Sequence, residues 1–206
     1  TNDSLVGVRD PQGFRPLCLG KTENGYVLSS ESCAFDAIKS EFIRHIDPGE
    51  MVIIDDSGVR STMYAEPEKI DKKLCVFEYI YFARGDSHID GQSVYQSRLN
   101  MGRELYNETK YDADIVMSIP DSGTTAALGY ARASGIPFAE GLVKNRYSGR
   151  TFIKPNQEER ELAVRMKLNA LPHIVGGKRI VLIDDSIVRG TTSGIIVKML
   201  KEAGAK

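Results

Sequence analysis

The sequence predicts an α/β protein whose second part folds as a parallel, doubly wound sheet, and two similar patterns lead to this prediction. Residues 180–183 form a short β-branched run, followed by a polar loop and by apolar residues at helical spacing. Residues 115–119 form a second apolar run, again followed by a polar loop and a helical stretch at 124–135. Strands that alternate with helices build parallel sheets, which bind ligands at the carboxyl ends of their strands.

The N-terminal part, residues 1–65, is predicted to be rich in β-strands instead. The apolar pattern indicates strands at 4–8, 17–19, 26–28 and 51–54. Asn24 and Gly25 are typical of the tight turn of a β-hairpin. A helix over residues 34–43 is also expected, because its apolar side chains would share one face.

Residues 66–74 are polar and charged, and we expect them to link the N-terminal part to the second domain. Further strands are predicted at 75–82 and 137–139. Capping-box spacing predicts two helix starts, at Ser93 with Gln96 and at Asn156 with Glu159.

Composition excludes several classes of protein. The chain has 206 residues, of which 41% are hydrophobic and 27% charged, and these are ordinary globular values. A net charge of −1 gives no electrostatic reason to expect binding to nucleic acid or to an anionic membrane. No apolar run approaches the length of a membrane-spanning helix. Three widely spaced cysteines argue against a disulfide framework and predict a reducing cytoplasm. The patterns at both ends lead us to expect a fragment of a longer protein.

The loop after the strand at 180–183 carries the most specific chemistry. The strand ends in two adjacent carboxylates, Asp184 and Asp185, and the polar loop leads into a helix expected at 195–203. Free N–H groups at a helix start favour a phosphate, and Gly190 lets the backbone approach it closely. Neither the Walker A pattern nor the G-x-G-x-x-G pattern is present. The acids would repel a phosphate unless they face ribose hydroxyls or Mg²⁺, so a sugar phosphate with a metal-bound diphosphate suits both features.

The ten residues 184–193, DDSIVRGTTS, resemble the phosphoribosyl pyrophosphate (PRPP) binding motif of type I phosphoribosyltransferases, and in detail that of amidophosphoribosyltransferases. For the two acids alone, an inert and solvated strand end is an equal alternative, but the ten residues together favour the PRPP site. The resemblance implies a type I phosphoribosyltransferase fold for residues 75–206, truncated at its C terminus. It also implies Mg²⁺ as a cofactor.

The resemblance assigns roles to residues on three loops. The turn at 120–123 would hold the diphosphate, with Ser122 joining Asp184 and Asp185 around Mg²⁺; taken alone, it is an ordinary strand-to-helix turn. The basic loop at 144–152 would close over PRPP as a lid, whereas a basic loop by itself is usually a solvated surface segment. The implied PRPP-binding residues are Asp121, Ser122, Gly123, Lys144, Arg146, Tyr147, Asp184, Asp185, Ser186, Arg189, Gly190, Thr191 and Thr192.

Residues 1–65 resemble the closing part of the glutaminase domain of the same family. The matching phrases are GVRDP at 7–11, RPL at 15–17, SESCA at 30–34 and PGE at 48–50. The resemblance implies the α+β fold of the N-terminal nucleophile hydrolases, whose nucleophile is the first cysteine of the mature chain and is expected upstream of residue 1. Thr1, Cys18 and Cys33 are therefore not assigned as nucleophiles, and this chain alone is not expected to hydrolyse glutamine.

Cys75 has two interpretations. In an apolar strand, a cysteine usually packs as a small hydrophobic residue. The resemblance adds that one subgroup of the family binds a 4Fe–4S cluster through four cysteines, the first of which falls at Cys75. A single cysteine cannot hold a cluster, so this site would be complete only in a longer protein. Gly85 departs from the family pattern, which usually has proline there.

The function implied by the resemblance is the transfer of ammonia from glutamine to PRPP, the entry step of de novo purine synthesis. The implied partners are PRPP, glutamine or ammonia, purine nucleotides as feedback inhibitors, and further copies of the chain in a homo-oligomer. Two alternatives stay open. A phosphoribosyltransferase for nucleobases is disfavoured by the β-rich N-terminal part. A non-catalytic PRPP-sensing regulator that binds DNA should carry a basic helix-turn-helix, and none is visible in the sequence.

Overall fold

The computed structural model describes residues 1–145, 147 and 157–206. The chain divides into two compact units, Thr1–Ser97 and Arg98–Lys206. The predicted domain assignment, with its linker at 66–74, stays a prediction. In the described part of the chain, no helix is both long enough and apolar enough to cross a membrane.

The first unit is built mainly from antiparallel strands. Its elements are β1 (Leu5–Val8), β2 (Cys18–Thr22), β3 (Gly25–Ser29), α1 (Cys33–Ala37), β4 (Glu41–His45), β5 (Glu50–Asp55), β6 (Gly58–Met63), a 3₁₀ turn (Pro67–Lys69), a π-helical turn (Glu78–Phe82), β7 (His88–Ile89) and β8 (Gln92–Ser93). One sheet has the order β1-β5-β6 and another the order β3-β2-β4. Leu19, Ile46 and Val52 form a buried cluster in this unit. The predicted hairpin is confirmed, since β2 and β3 pair up to Thr22 and Gly25, but its turn is formed by Glu23 and Asn24 and not by Asn24 and Gly25.

The predicted helix at 34–43 is wrong in its second half. The helix ends at Ala37, and Glu41–His45 pairs with β2 as a strand. Lys39 adopts a positive φ of 54°, which turns the chain out of the helix. A Cβ on Gly20 would lie 2.8 Å from the carbonyl oxygen of Glu41, so this glycine gives β4 the space to pair. Pairing with a strand distant in sequence therefore overrides the local helical pattern.

The predicted strand at 75–82 is also wrong, because the Glu78–Phe82 segment forms a π-helical turn. Its backbone groups bond locally: the N–H of Ala83 donates to the carbonyl of Glu78 at 3.0 Å. Glu78 is buried and pairs with Arg15, and burial raises the pKa of the Glu78 carboxyl. The aromatic residues gave this segment a strand-like composition, but its hydrogen bonds are made within the turn.

A buried guanidinium connects distant parts of the first unit. Arg9 is 2% exposed, and its side chain donates to the carbonyl of Ile46 at 2.7 Å and to both carboxylate oxygens of Asp90 at 2.9 Å. Further bonds run to the carbonyls of Gly13 and Arg15. A bidentate pair with additional acceptors satisfies a buried charge that would otherwise be costly.

The second unit contains the predicted parallel sheet. α2 (Val94–Glu108) begins in the first unit and continues into the second. The other elements are β9 (Ile115–Ser118), α3 (Thr124–Ser134), β10 (Leu142–Lys144), α4 (Gln157–Lys167), β11 (Leu168–Ala170), α5 (Pro172–Val175), β12 (Ile180–Ile183) and α6 (Thr191–Glu202). β9 and β12 pair in parallel, and Phe138 pairs in parallel with β9 at Val116. The strands predicted at 115–119 and 180–183 are confirmed, whereas of 137–139 only Phe138 forms a bridge.

The β9–β12 sheet carries a different helix on each face. Val116 and Ile183 belong to one buried cluster with Tyr130 of α3. Met117 belongs to another cluster with Ile196 of α6. Successive side chains of a strand point to opposite faces, so α3 and α6 cover opposite sides of the sheet. The sheet is therefore doubly wound, as the sequence predicted.

One of the two predicted capping boxes is seen in part. The N–H of Gln96 donates to the side-chain oxygen of Ser93 at 3.3 Å, close to the start of α2. The capping box predicted at Asn156 and Glu159 lies outside the described residues and side chains.

Replacing Asp90 with asparagine would leave the buried guanidinium of Arg9 without its counter-charge. We expect the free energy of unfolding to fall by about 3 kcal/mol, measured by chemical denaturation of the chain. Glu66→Gln serves as the control, because it breaks an exposed pair with Lys69 and should cost less than about 0.5 kcal/mol. Equal losses in the two variants would contradict the structural role of Arg9 and Asp90.

The same pair predicts a dependence of stability on pH. Hydrogen bonds from Arg9 are the main reason why the pKa of Asp90 lies below its usual value. Because the folded-state pKa is lowered, the pair stabilises the protein above the unfolded-state pKa of about 3.9 and loses this contribution as the pH falls through the folded-state value. The stability difference between the wild type and Asp90→Asn, measured by denaturant titration at several pH values, should therefore shrink below about pH 4.

Candidate functional site

Two strand-to-helix turns of the second unit lie side by side. They follow β9 and β12, which are parallel neighbours and end at the same edge of the sheet. The N–H of Ile119 donates to the carbonyl of Ile183 at 2.9 Å. Beyond the strands, the hydroxyl of Ser122 donates to the carboxylate of Asp185 at 2.7 Å. The structure thus brings together the two loops that the sequence singled out, although they are 63 residues apart.

The place where these turns meet is the position expected for a ligand. Phe138 and β12 flank β9 on opposite edges, and the helices that follow β9 and β12 cover opposite faces. In an open α/β sheet, such a reversal opens a crevice at the carboxyl ends of the central strands.

Gly123 makes the close approach of the two turns possible. A Cβ at this position would lie 2.7 Å from the carbonyl oxygen of Ile183 and 3.1 Å from the Cα of Asp184. These neighbours are backbone atoms, so they could not move aside without displacing the turn. Gly123 also precedes the first residue of α3, Thr124.

The two acids at the end of β12 differ in environment. Burial, a side-chain hydrogen bond with Asp185 and the charge of Asp185 together raise the pKa of Asp184 to about 7, with burial as the largest cause. The N–H of Asp185 donates to the carboxylate of Asp184 at 2.9 Å. Asp185 accepts hydrogen bonds from Ser122 and, at 3.1 Å, from Ser186. A partly buried carboxyl group beside a second acid favours a cation or hydrogen-bond donors as its neighbour.

The helix after this loop starts earlier than the sequence predicted. α6 begins at Thr191 and not at residue 195. Gly190, with a φ of 72°, occupies the position before the helix, and the N–H of Gly194 donates to its carbonyl at 2.8 Å. The hydroxyl residues resembled a loop, although they form the first helical turn. The first N–H groups of a helix have no partner within it, so Thr191 and Thr192 lie in a turn suited to an anion.

A cleft of about 470 Å³ lies beside the turn after β9. Lys144, the last residue of β10, lines this cleft and pairs with Asp121. The distance between Nζ of Lys144 and Oδ2 of Asp121 is 2.5 Å. Glu140 also lines the cleft. Tyr147 is 99% exposed. Arg189 is exposed too.

Arg146 and residues 148–152 lie outside the described residues.

The comparisons with known proteins agree on one enzyme. No protein-family profile matches the chain. The curated amidophosphoribosyltransferase of Archaeoglobus fulgidus is 55% identical over 205 residues, which cover 100% of this chain and 44% of that protein. The curated amidophosphoribosyltransferase of Bacillus subtilis is 51% identical over 205 residues, with 43% of its length covered. Along its whole length, the chain is homologous to amidophosphoribosyltransferases.

Two solved structures support the fold that the sequence predicted. The chain matches the glutamine PRPP amidotransferase of Bacillus subtilis, complexed with ADP and GMP, with a TM-score of 0.91 and 50% identity. That match covers 100% of this chain and 45% of the solved chain. A structure titled as the allosteric regulatory enzyme of purine biosynthesis matches with a TM-score of 0.90. The predicted α/β architecture with a type I phosphoribosyltransferase sheet is therefore confirmed. The chain spans less than half the length of the curated relatives it matches.

The sequence offered no reason to single out Lys167, which lies close to Lys144 in the second unit. Burial lowers the pKa of Lys167, and the charge of Lys144 lowers it further, so the two cations are close. Their proximity follows from the pairing of β10 with β11, in which Lys144 faces Leu168. The sequence contained no signal for this pairing, because it joins two short strands that are distant in sequence.

The cysteines lie in the first unit. Burial raises the pKa of Cys18 to about 11 and raises the pKa of Cys33 as well. Neither thiol is thus suited to act as a nucleophile. Among the described residues, no group of three or more His, Cys, Asp or Glu side chains could hold a metal ion. The residues described here therefore do not form a 4Fe–4S site, and the cluster role of Cys75 stays a prediction.

Gly123→Ala tests whether the two turns depend on a missing side chain. The new Cβ would collide with backbone atoms, so we expect a loss of about 2 kcal/mol in the free energy of unfolding, measured by denaturant titration. Gly194→Ala is the matched control, because a Cβ there meets no atom within 4 Å and alanine favours helices. If Gly123→Ala were as stable as the control variant, the turns would not require this glycine.

Proposed function

We propose that the protein containing this chain is a glutamine-dependent amidophosphoribosyltransferase. The reaction is the attack of ammonia, released from glutamine, on C1 of PRPP, giving 5-phosphoribosylamine, glutamate and pyrophosphate at the first step of de novo purine synthesis. The single observation that carries this proposal is the hydrogen bond between Ser122 and Asp185, which joins the two turns implied to hold PRPP. The names of the curated relatives support the same activity.

The sugar and its 5′-phosphate are assigned to the loop after β12. Asp184 and Asp185 accept hydrogen bonds from the ribose hydroxyls, which supply the donors that this partly buried acidic pair favours. Gly190 and the first turn of α6, with Thr191 and Thr192, hold the 5′-phosphate through backbone N–H groups and hydroxyls. Ser186 helps to orient Asp185 through its hydrogen bond.

The diphosphate is assigned to the turn after β9 and to nearby cations. Ser122 and Gly123 lie in this turn, and the backbone N–H groups at the start of α3 favour an anion. Lys144 and Arg189 balance the charge of the leaving group. Arg146 and Tyr147 complete the assigned PRPP-binding set, whereas Asp121, which the resemblance also places in it, is engaged by Lys144.

Mg²⁺ fits the side chains at the junction of the turns. Asp184, Asp185 and Ser122 offer the oxygen ligands that this ion prefers, and a diphosphate would supply more. When bound, Mg²⁺ neutralises negative charge that develops on the departing diphosphate.

The work left to the protein is mainly electrostatic and positional. Loss of diphosphate leaves positive charge on the ribose, and the nearby carboxylates of Asp184 and Asp185 favour that charge. Ammonia is a neutral nucleophile, so no strong general base is required. Cations over the diphosphate and the exclusion of water by the 144–152 loop favour amination over hydrolysis.

Further properties of the complete protein are part of the same proposal. The Bacillus subtilis structure is a complex with ADP and GMP, which supports purine nucleotides as feedback inhibitors. A homo-oligomer, a cytoplasmic location and a 4Fe–4S cluster with Cys75 as one ligand are proposed from the family resemblance.

The proposal predicts that Asp184→Asn and Asp185→Asn, introduced into the full-length protein, reduce ammonia-dependent pyrophosphate release at least about 100-fold. The physical reason is the loss of the negative charge that faces the ribose and the metal. Asp112→Asn is the control, because Asp112 is exposed, pairs with Arg179, and should leave the rate unchanged. Unchanged rates in the Asp184 and Asp185 variants would reject the proposed site.

The same assay separates the alternative functions. Pyrophosphate release should occur with ammonia and with glutamine in the full-length protein. Release with nucleobases alone would indicate a nucleobase phosphoribosyltransferase. PRPP binding without release under any condition would indicate a regulator.

A further inference from the structure

The turn assigned to the diphosphate carries an acid that no role in anion binding explains. Asp121 is highly exposed, and its carboxylate points to Lys144, with 2.5 Å between Oδ2 and Nζ. The two residues are 23 positions apart and belong to different elements, so the contact is a tertiary one. A carboxylate beside an anion site repels the ligand unless its charge is engaged elsewhere.

Lys144 already binds an anion in this structure, and that anion is Asp121. The position of Lys144 is set by β10, whose pairing with β11 ends at Lys144 and Leu168. The nearby cation Lys167 raises the local positive charge, which makes a counter-ion favourable. Both partners of the ion pair are substantially exposed, at 45% and 77% of their side-chain surfaces. Exposed ion pairs contribute little to stability, so a multiply charged anion can displace the carboxylate.

We propose that Asp121 is the resting counter-ion of Lys144, which the diphosphate of PRPP replaces on binding and which returns to Lys144 when pyrophosphate leaves. This inference rests on the proposed function and deepens it. Asp121 is then a positioning residue that acts through Lys144 and does not itself touch the diphosphate. It holds Lys144 over the cleft in the empty site and competes with the product for the same cation.

The exchange has a consequence that differs from that of a ligand-binding role. If Asp121 competes with the diphosphate, its removal strengthens binding. If Asp121 binds PRPP or its metal, its removal weakens binding. The sign of the effect therefore distinguishes the two roles.

The test measures the dissociation constant of pyrophosphate with Mg²⁺ by calorimetry, using the full-length protein. Asp121→Asn should lower this constant by about three- to tenfold, because Lys144 becomes available and one negative charge is lost. In the background of Lys144→Gln, the same substitution should have less than about a twofold effect, since the cation that Asp121 engages has been removed. Glu140→Gln is the matched control, because it removes a carboxylate from the same cleft.

Each other outcome overturns the inference. Weaker binding by Asp121→Asn would make Asp121 a ligand of the substrate or the metal. Equal strengthening by Asp121→Asn in the wild type and in the Lys144→Gln background would show direct repulsion of the diphosphate by Asp121. Equal strengthening by Glu140→Gln would show a general charge effect. If the wild type bound neither pyrophosphate nor PRPP, the proposed function would be refuted, and the inference with it.

Discussion

The close contact between the turns after β9 and β12 is the constraint on which the candidate site depends. Parallel neighbours end at the same edge of a sheet, so their turns meet only if the backbones can approach closely. Gly123 provides that space, since a Cβ there would lie 2.7 Å from the carbonyl of Ile183. The hydrogen bond from Ser122 to Asp185 then becomes possible. The acid pair and the anion-binding turn therefore share one crevice because of a missing side chain.

The charged groups around this crevice are tuned by their neighbours. Burial and the acidic neighbour Asp185 raise the pKa of Asp184 to about 7. Asp121 is held by Lys144, close to a second cation, Lys167. The proposed uptake of a highly charged sugar diphosphate would benefit from a weak ion pair such as that of Asp121 and Lys144, because the carboxylate can be exchanged for the ligand at little cost. Strong pairs would resist this exchange.

The first unit shows the opposite use of charge. Arg9 is buried, and five acceptor atoms, including both oxygens of Asp90, satisfy its guanidinium. A pair of this kind is costly to break, since removing one partner leaves an uncompensated buried charge. It acts as a structural connection between segments that are 81 residues apart. Burial, more than the type of residue, thus decides whether an ion pair holds the fold or remains exchangeable.

The sequence by itself determined the strand-turn-helix units around β9 and β12 and the β2–β3 hairpin, because these features are encoded in short continuous segments, and the loop after β12 was predicted to bind phosphate from the same kind of segment. Tertiary structure alone decided that 41–45 pairs as a strand, that Glu78–Phe82 forms a π-helical turn and that Lys144 meets Asp121. Each of these depends on partners far away in the chain. Local patterns cannot specify such partners, because the free energy of the contact is gained only after distant segments have come together.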